Sequence, residues 1–174
     1  MFIIQFLAKL VKILRSAATP AQIAGGLMLG MVLGLTPLLT VHNLIVIILI
    51  IILNVNIAMA IFSFGVFSGI AYLFDPLFHD LGYALLVNVA SLHGLWTSLY
   101  NIPLVALSRY NNTVVMGSLV TALILMLPLY FLTRTGVIQY RQKIESKVQK
   151  LKIMKVLKSS SIYNFYQKLK SLGE

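Results

Sequence analysis

Cysteine is absent from this chain, acidic residues number four and tryptophan occurs once. The first absence excludes disulfides, thiolate metal sites and cysteine nucleophiles together. A second gap is more telling: from Ser16 to Ser108 there is no Lys or Arg, and the only acids are Asp75 and Asp80. Soluble domains carry roughly 25% charged residues, whereas here 10% are charged and 59% hydrophobic among 174 residues. An aqueous globule of that size could not hide so much apolar surface, so the middle of the chain calls for lipid around it.

Catalytic signatures are missing as well. No GxSxG, no HExxH and no phosphate-cradling glycine loop occurs, so no enzyme, cofactor or metal is expected. His79 and Asp80, with Asp75 just before them, offer three candidate ligands but no further spacing signature, and an interfacial turn is the far better account of them.

The net charge of +10 is polarised. Lys9, Lys12 and Arg15 precede the apolar region, Arg109 and Arg134 lie within or just after it, and nine basic residues run from Arg141 to Lys170. Spread over a soluble surface such a charge would suggest nucleic acid. Clustered beside apolar segments it points instead to cytoplasmic anchors facing anionic lipid, and no nucleic-acid partner is expected. The anionic-lipid contacts would be Lys9, Lys12, Arg15, Arg141, Lys143, Lys147, Lys150, Lys152, Lys155 and Lys158.

The pattern predicts an all-α, polytopic membrane protein in three parts: an interfacial amphipathic helix over residues 1–18, a membrane domain over 19–133 and a basic cytoplasmic amphipathic tail over 134–174. Gln5, Lys9, Lys12 and Ser16 form one polar stripe on the first helix. The apolar start lacks the preceding charges of a signal peptide, so this segment is expected to remain. Thr19 and Pro20 provide a cap and a first-turn proline. Two short apolar helices are then expected, over 21–36 and 38–53, each about 24 Å long at 1.5 Å per residue against a hydrocarbon core of about 30 Å. They form a tight hairpin that either crosses or re-enters.

A segment over 57–74, ending at Asp75 and Pro76, is long enough to span. Residues 77–108 are more polar and read as two short interfacial helices, with Tyr83, Trp96 and Tyr100 at headgroup level. The run 113–133 is the clearest transmembrane helix. With both basic ends in the cytoplasm the number of crossings is even, so region 77–108 must turn back.

Gly26, Gly30 and Gly34 recur every four residues and let another helix approach backbone to backbone. With Pro37 they mark either an internal packing face or a self-association or partner-docking face. His42, Asn43, Asn54, Asn56, Asn88 and His93 are polar groups in or beside membrane segments. They serve either as interhelical bonds and turn caps or as the lining of a polar path.

The run TPAQIAGGLMLGMVLGLTPLL, with Pro20, Ala24, Gly26, Gly30, Gly34 and Pro37, resembles the signature of the bacterial inner-membrane family called domain of unknown function 2062. Asn54 to Asn56 and DPLFHDLGYALL, Asp75 to Leu86, look like that family's next turn and its aromatic Leu-Gly segment. Thr40, Val41 and His42 stand where the family's glycine and glutamine are expected. The resemblance implies a small multi-pass protein, and relatives of this shape look like companions of large periplasmic proteins of the AsmA type. On that basis the expected function is a non-enzymatic inner-membrane subunit that anchors or feeds an envelope lipid-transfer assembly, with such a periplasmic protein or a second copy of itself as partner. The alternatives are a small oligomeric transporter or channel with a midplane polar site, and a lipid-modifying enzyme using His79 or His93.

Overall fold

A computed structural model describes residues 2–144, and the part of the expected tail beyond residue 144, with Lys147, Lys150, Lys152, Lys155 and Lys158, lies outside the described residues. Among the described residues every regular element is helical, the α-helices being α1 (Phe2–Leu14), α2 (Pro20–Leu35), α3 (Val41–Ile52), α4 (Ile57–Tyr83), α5 (His93–Tyr100), α6 (Pro103–Ala106) and α7 (Thr113–Gln139). The chain divides after Val137 into residues 1–137 and 138–174. Within the second part, α7 ends and a π turn spans Tyr140–Ile144.

Local chemistry sets most of these boundaries. Thr19 and Gln22 form a capping box, the Thr19 hydroxyl accepting from the Gln22 N–H at 3.2 Å and the Thr19 N–H donating to Gln22 Oε1 at 2.8 Å. Pro20 follows at the first helical position, where its missing N–H costs nothing. Asn56 caps α4 by accepting from the Met59 N–H at 2.8 Å, and its own N–H donates to the Gln22 carbonyl. That bond ties the start of α4 to the start of α2. Asn54 takes the left-handed conformation, φ 49°, that reverses the chain between α3 and α4, a conformation asparagine tolerates better than most residues.

The glycines of α2 then fix how α2 and α4 lie together. A Cβ on Gly26 would strike the Asn56 carbonyl oxygen, one on Gly30 the Ala60 carbonyl oxygen, and one on Gly34 would sit 2.8 Å from the Phe64 oxygen and 3.0 Å from the Ser68 nitrogen. Advancing by four residues on α2 advances by about four on α4, so the two helices run parallel in close backbone contact. Ser63 seals the contact by donating to the Leu27 carbonyl at 2.6 Å. The face those three glycines offer is therefore occupied within the chain.

A second glycine contact joins α4 to α7. A Cβ on Gly82 would meet the Thr113 carbonyl and one on Gly117 the Phe78 carbonyl. Higher residue numbers on α7 meet lower ones on α4, so α7 runs back antiparallel. It returns to the base, where Val137 is buried with Ile23 and Met59 against Leu10, Ile13 and Leu14 of α1. On α1 Gln5, Lys9 and Lys12 face outward, while Phe6 stacks on Phe62 with ring centroids 4.7 Å apart.

The spanning segment expected to stop at Asp75 and Pro76 instead continues to Tyr83, with Pro76 inside the helix. Proline removes one helical hydrogen bond, but Phe78 and Gly82 are held against α7 just beyond it, and that packing keeps the helix going. Of the region expected as two short helices, only its later part forms α5 and α6. The stretches Ile57–Asn88 and Thr113–Lys143 are long and apolar enough to cross a membrane; α2 and α3 are apolar but shorter. Large apolar side chains are exposed along α3, at Leu44, Ile45, Ile48, Ile51 and Ile52, and along α7, at Leu123, Ile124, Leu127 and Leu132. Soluble monomers do not expose contiguous apolar surface on this scale.

Glycine position decides what substitution costs. Gly30→Ala should destabilise the protein by about 1–3 kcal/mol through overpacking. Gly65→Ala, where an added Cβ meets nothing within 4 Å, should raise stability by up to about 1 kcal/mol through helix propensity. Thermal or denaturant unfolding in detergent micelles measures both.

Candidate functional site at the hairpin turn

The turn between α2 and α3, residues 36–40, departs from what a turn in water looks like. Pro37 holds the preceding residue out of the helical region, and Thr36 is extended at φ −99°, ψ 149°. The Thr36 hydroxyl lies 2.7 Å from the Val32 carbonyl oxygen and 2.8 Å from Asn43 Oδ1, sharing its proton between them. Asn43 Nδ2 donates to the Pro37 carbonyl at 2.9 Å. Thr40 donates to the same carbonyl at 3.1 Å and meets His42 Nε2 at 2.9 Å.

The Thr40 hydroxyl has one proton and two partners, Pro37 and His42, so which of Thr40 and His42 Nε2 donates in their bond depends on the imidazole tautomer. The other ring nitrogen, Nδ1, is buried with no partner among the described residues. Thr36, Thr40 and Asn43 are all buried, whereas Leu38 is 58% and Leu39 84% exposed. Polar groups face inward and leucines outward, the arrangement required of irregular backbone surrounded by hydrocarbon.

The turn's height follows from the helix contact beside it. Gly34 lies against Phe64 and Ser68, and Ser68 is about eleven residues past the start of α4, or about 16 Å at 1.5 Å per residue. The hairpin therefore ends near the middle of α4. Above it α4 leaves Tyr72 and Leu73 exposed at 81% and 73%.

The polar residues selected from sequence fall into three places. His42 and Asn43 come together at the turn. Asn54 and Asn56 lie at the opposite end of α3, and Asn88 and His93 lie beyond α4, where His93 Nε2 bonds the Val87 carbonyl at 3.0 Å. Pro37 belongs to the turn as the shared acceptor. Lys9, Lys12 and Arg15 follow one another on and just after α1, and Arg141 and Lys143 lie in the π turn. His79 bonds Thr113 at 2.7 Å, and among the described residues no three His, Asp or Glu side chains gather as a metal would require.

Sequence reasoning did not single out Ser63, Ser118 or Tyr110, and named Trp96 and Tyr100 only as interfacial aromatics. Ser63 and Ser118 are buried hydroxyls bonded to the Leu27 and Val115 carbonyls; a small polar residue within a glycine-stepped packing region is the signal that could have found Ser63. At the far end, an open cleft of about 340 Å³ is lined by Leu86, Trp96, Thr97, Tyr100, Asn101, Tyr110 and Asn111. Burial, and then the neighbouring Tyr100, push the Tyr110 phenol above its ordinary pKa, and its hydroxyl donates to the Trp96 carbonyl at 2.6 Å.

The chain belongs to the family described as an uncharacterized protein conserved in bacteria, DUF2062, which it matches over residues 5–145. It is similar to an uncharacterized protein of Treponema pallidum (strain Nichols), with 26% identity over 159 residues covering 91% of this chain and 98% of that protein. No solved structure matches it.

Asn43 ties both sides of the turn, so Asn43→Leu should destabilise the protein by about 1–3 kcal/mol, since it removes one of the two acceptors of the Thr36 hydroxyl and one of the two donors to the Pro37 carbonyl in a buried setting. Asn88→Leu, at an exposed position, should change stability by no more than about 0.5 kcal/mol. Unfolding of the two variants side by side in detergent tests the difference.

Proposed function

We propose that this family member is a non-enzymatic, multi-pass subunit of the bacterial inner membrane that anchors or feeds an envelope lipid-transfer assembly. In this reading α4 and α7 cross the bilayer and α2 and α3 re-enter it. Helices α5 and α6 turn the chain back at the far interface, and both termini are cytoplasmic. Lys9, Lys12 and Arg15, with the basic tail, meet anionic headgroups there, each worth about 1 kcal/mol near the surface.

The observation that carries the proposal is the height of the hairpin turn. A hydrocarbon core is about 30 Å thick, so a turn about 16 Å above the start of α4 at 1.5 Å per residue ends near the bilayer centre. The near half of the membrane then accommodates α2, α3, α4 and α7, and the far half only α4 and α7. Lipids above Leu38 and Leu39 would rest on protein instead of on an opposing leaflet. Short segments thin and strain the bilayer beside them, and strain confined to the far leaflet lowers the barrier to withdrawing a lipid from it. The recipient is a large periplasmic protein of the AsmA type, the partner class that the family resemblance implies.

Desorption kinetics test this directly. Vesicles containing the protein should release a fluorescent phospholipid to protein-free acceptor vesicles several-fold faster than vesicles holding an inert two-helix membrane protein. Equal release rates would contradict the proposal.

A further inference from the structure

The lipid-handling reading leaves the far-end cleft unused, and its chemistry is specific enough to name a ligand. We propose that the cleft beside Trp96 and Tyr110 binds the phosphodiester headgroup of a glycerophospholipid from the far leaflet, with Arg109 as the anion contact. The proposal rests on the membrane placement above.

The walls of the cleft are aromatic and preset. Trp96 and Tyr110 have ring centroids 6.0 Å apart. Their polar tips are already spent on backbone: the Trp96 indole N–H donates to the Leu85 carbonyl at 3.0 Å and the Tyr110 hydroxyl to the Trp96 carbonyl. What the rings offer a ligand is apolar surface, held in place without further ordering, as tryptophan and tyrosine do at headgroup level. Asn101 and Asn111 line the same cleft and are exposed, so their amides supply donors for phosphate and glycerol oxygens.

Arg109 stands immediately before two lining residues, Tyr110 and Asn111. It is the one Lys or Arg between Arg15 and Arg134, is exposed, and adopts a left-handed conformation with φ 58°. A long side chain in that region is strained, and such strain persists where surrounding structure enforces it, most often at functional positions. Here the Arg109 N–H donates to the Ala106 carbonyl at 3.2 Å and the Arg109 carbonyl accepts from the Asn112 N–H at 2.9 Å. Asn112 is itself fixed as the cap of α7 by accepting from the Val115 N–H at 3.1 Å. A guanidinium is the cation best matched to a phosphate, through paired N–H donors. Leu104 and Leu107, each 66% exposed on and just after α6, continue the apolar surface along which acyl chains would run into the bilayer.

Trp96, the single tryptophan, reports the site. The full chain in neutral maltoside micelles is titrated with dihexanoyl phosphatidylglycerol below its own micelle concentration, with dihexanoylglycerol lacking the phosphate, and with inorganic phosphate. The expected result is a saturable change in Trp96 emission with the phospholipid alone, its affinity falling about tenfold in Arg109→Gln at an unchanged melting temperature. If that variant does not fold, Asn111→Ala takes its place, with a smaller expected loss. An equal response to dihexanoylglycerol, equally tight binding of inorganic phosphate, or unchanged affinity in the folded variant would each overturn the site. A chain that stays monodisperse without detergent would sink the membrane placement itself, whereas a detergent-dependent chain blind to the phosphate would sink this site alone.

Discussion

Backbone-to-backbone contact between α2 and α4 is the constraint on which the rest of this structure depends. At Gly26, Gly30 and Gly34 no Cβ holds the two helices apart, and the carbonyls of Asn56, Ala60 and Phe64 fill the space. Where lipid is the surrounding medium, apolar side chains gain nothing by leaving it for one another, so association rests on packing and hydrogen bonds. The glycine edge supplies the packing, and the bonds from Asn56 to Gln22 and from Ser63 to Leu27 supply the rest. Because the contact is in parallel register, it also sets how far the hairpin reaches along α4.

That reach connects packing to the proposed activity. A turn placed in the middle of a bilayer, as proposed, must satisfy its own polar groups. Thr36, Thr40 and Asn43 do so around the Val32 and Pro37 carbonyls and His42 Nε2 bonds Thr40, while His42 Nδ1 is left without a partner among the described residues. Thr40 also explains why α3 starts without a side-chain cap: its hydroxyl is already committed to Pro37 and His42. The far-end cleft obeys the opposite logic. There Asn101 and Asn111 are exposed, as polar groups at a headgroup interface can be. In the proposed placement the two regions mark the middle and the far edge of one bilayer crossing.

Much of the architecture was legible because its signals are local. Thr19 with Pro20, the asparagines at 54 and 56, and the apolar run after Asn112 each mark a helix boundary within a few residues of where it forms. The passage of α4 through Pro76 was not legible, since it depends on Gly82 meeting Thr113 and on Gly117 meeting Phe78, contacts between segments some thirty to forty residues apart. Spacing could not separate Gly30, which packs, from Gly65 and Gly69, which do not. His42 and Asn43 stood out as polar residues in an apolar setting, but their bonding to Thr36, Thr40 and Pro37 exists only once the turn closes. Trp96 stood out as aromatic, whereas Tyr110, fourteen residues away, became visible only by folding onto it.

The central claim is that the hairpin stops inside the hydrocarbon with its leucines facing lipid. The absence of cysteine allows single nitroxide labels at Leu39 and, as an internal reference halfway along α4, at Gly69, in the full chain reconstituted in bilayers. Power-saturation depth measurements should place both labels near the bilayer centre, accessible to oxygen and shielded from a water-soluble nickel relaxant. A Leu39 label that reads at the aqueous interface while the Gly69 label reads at the centre would contradict the account.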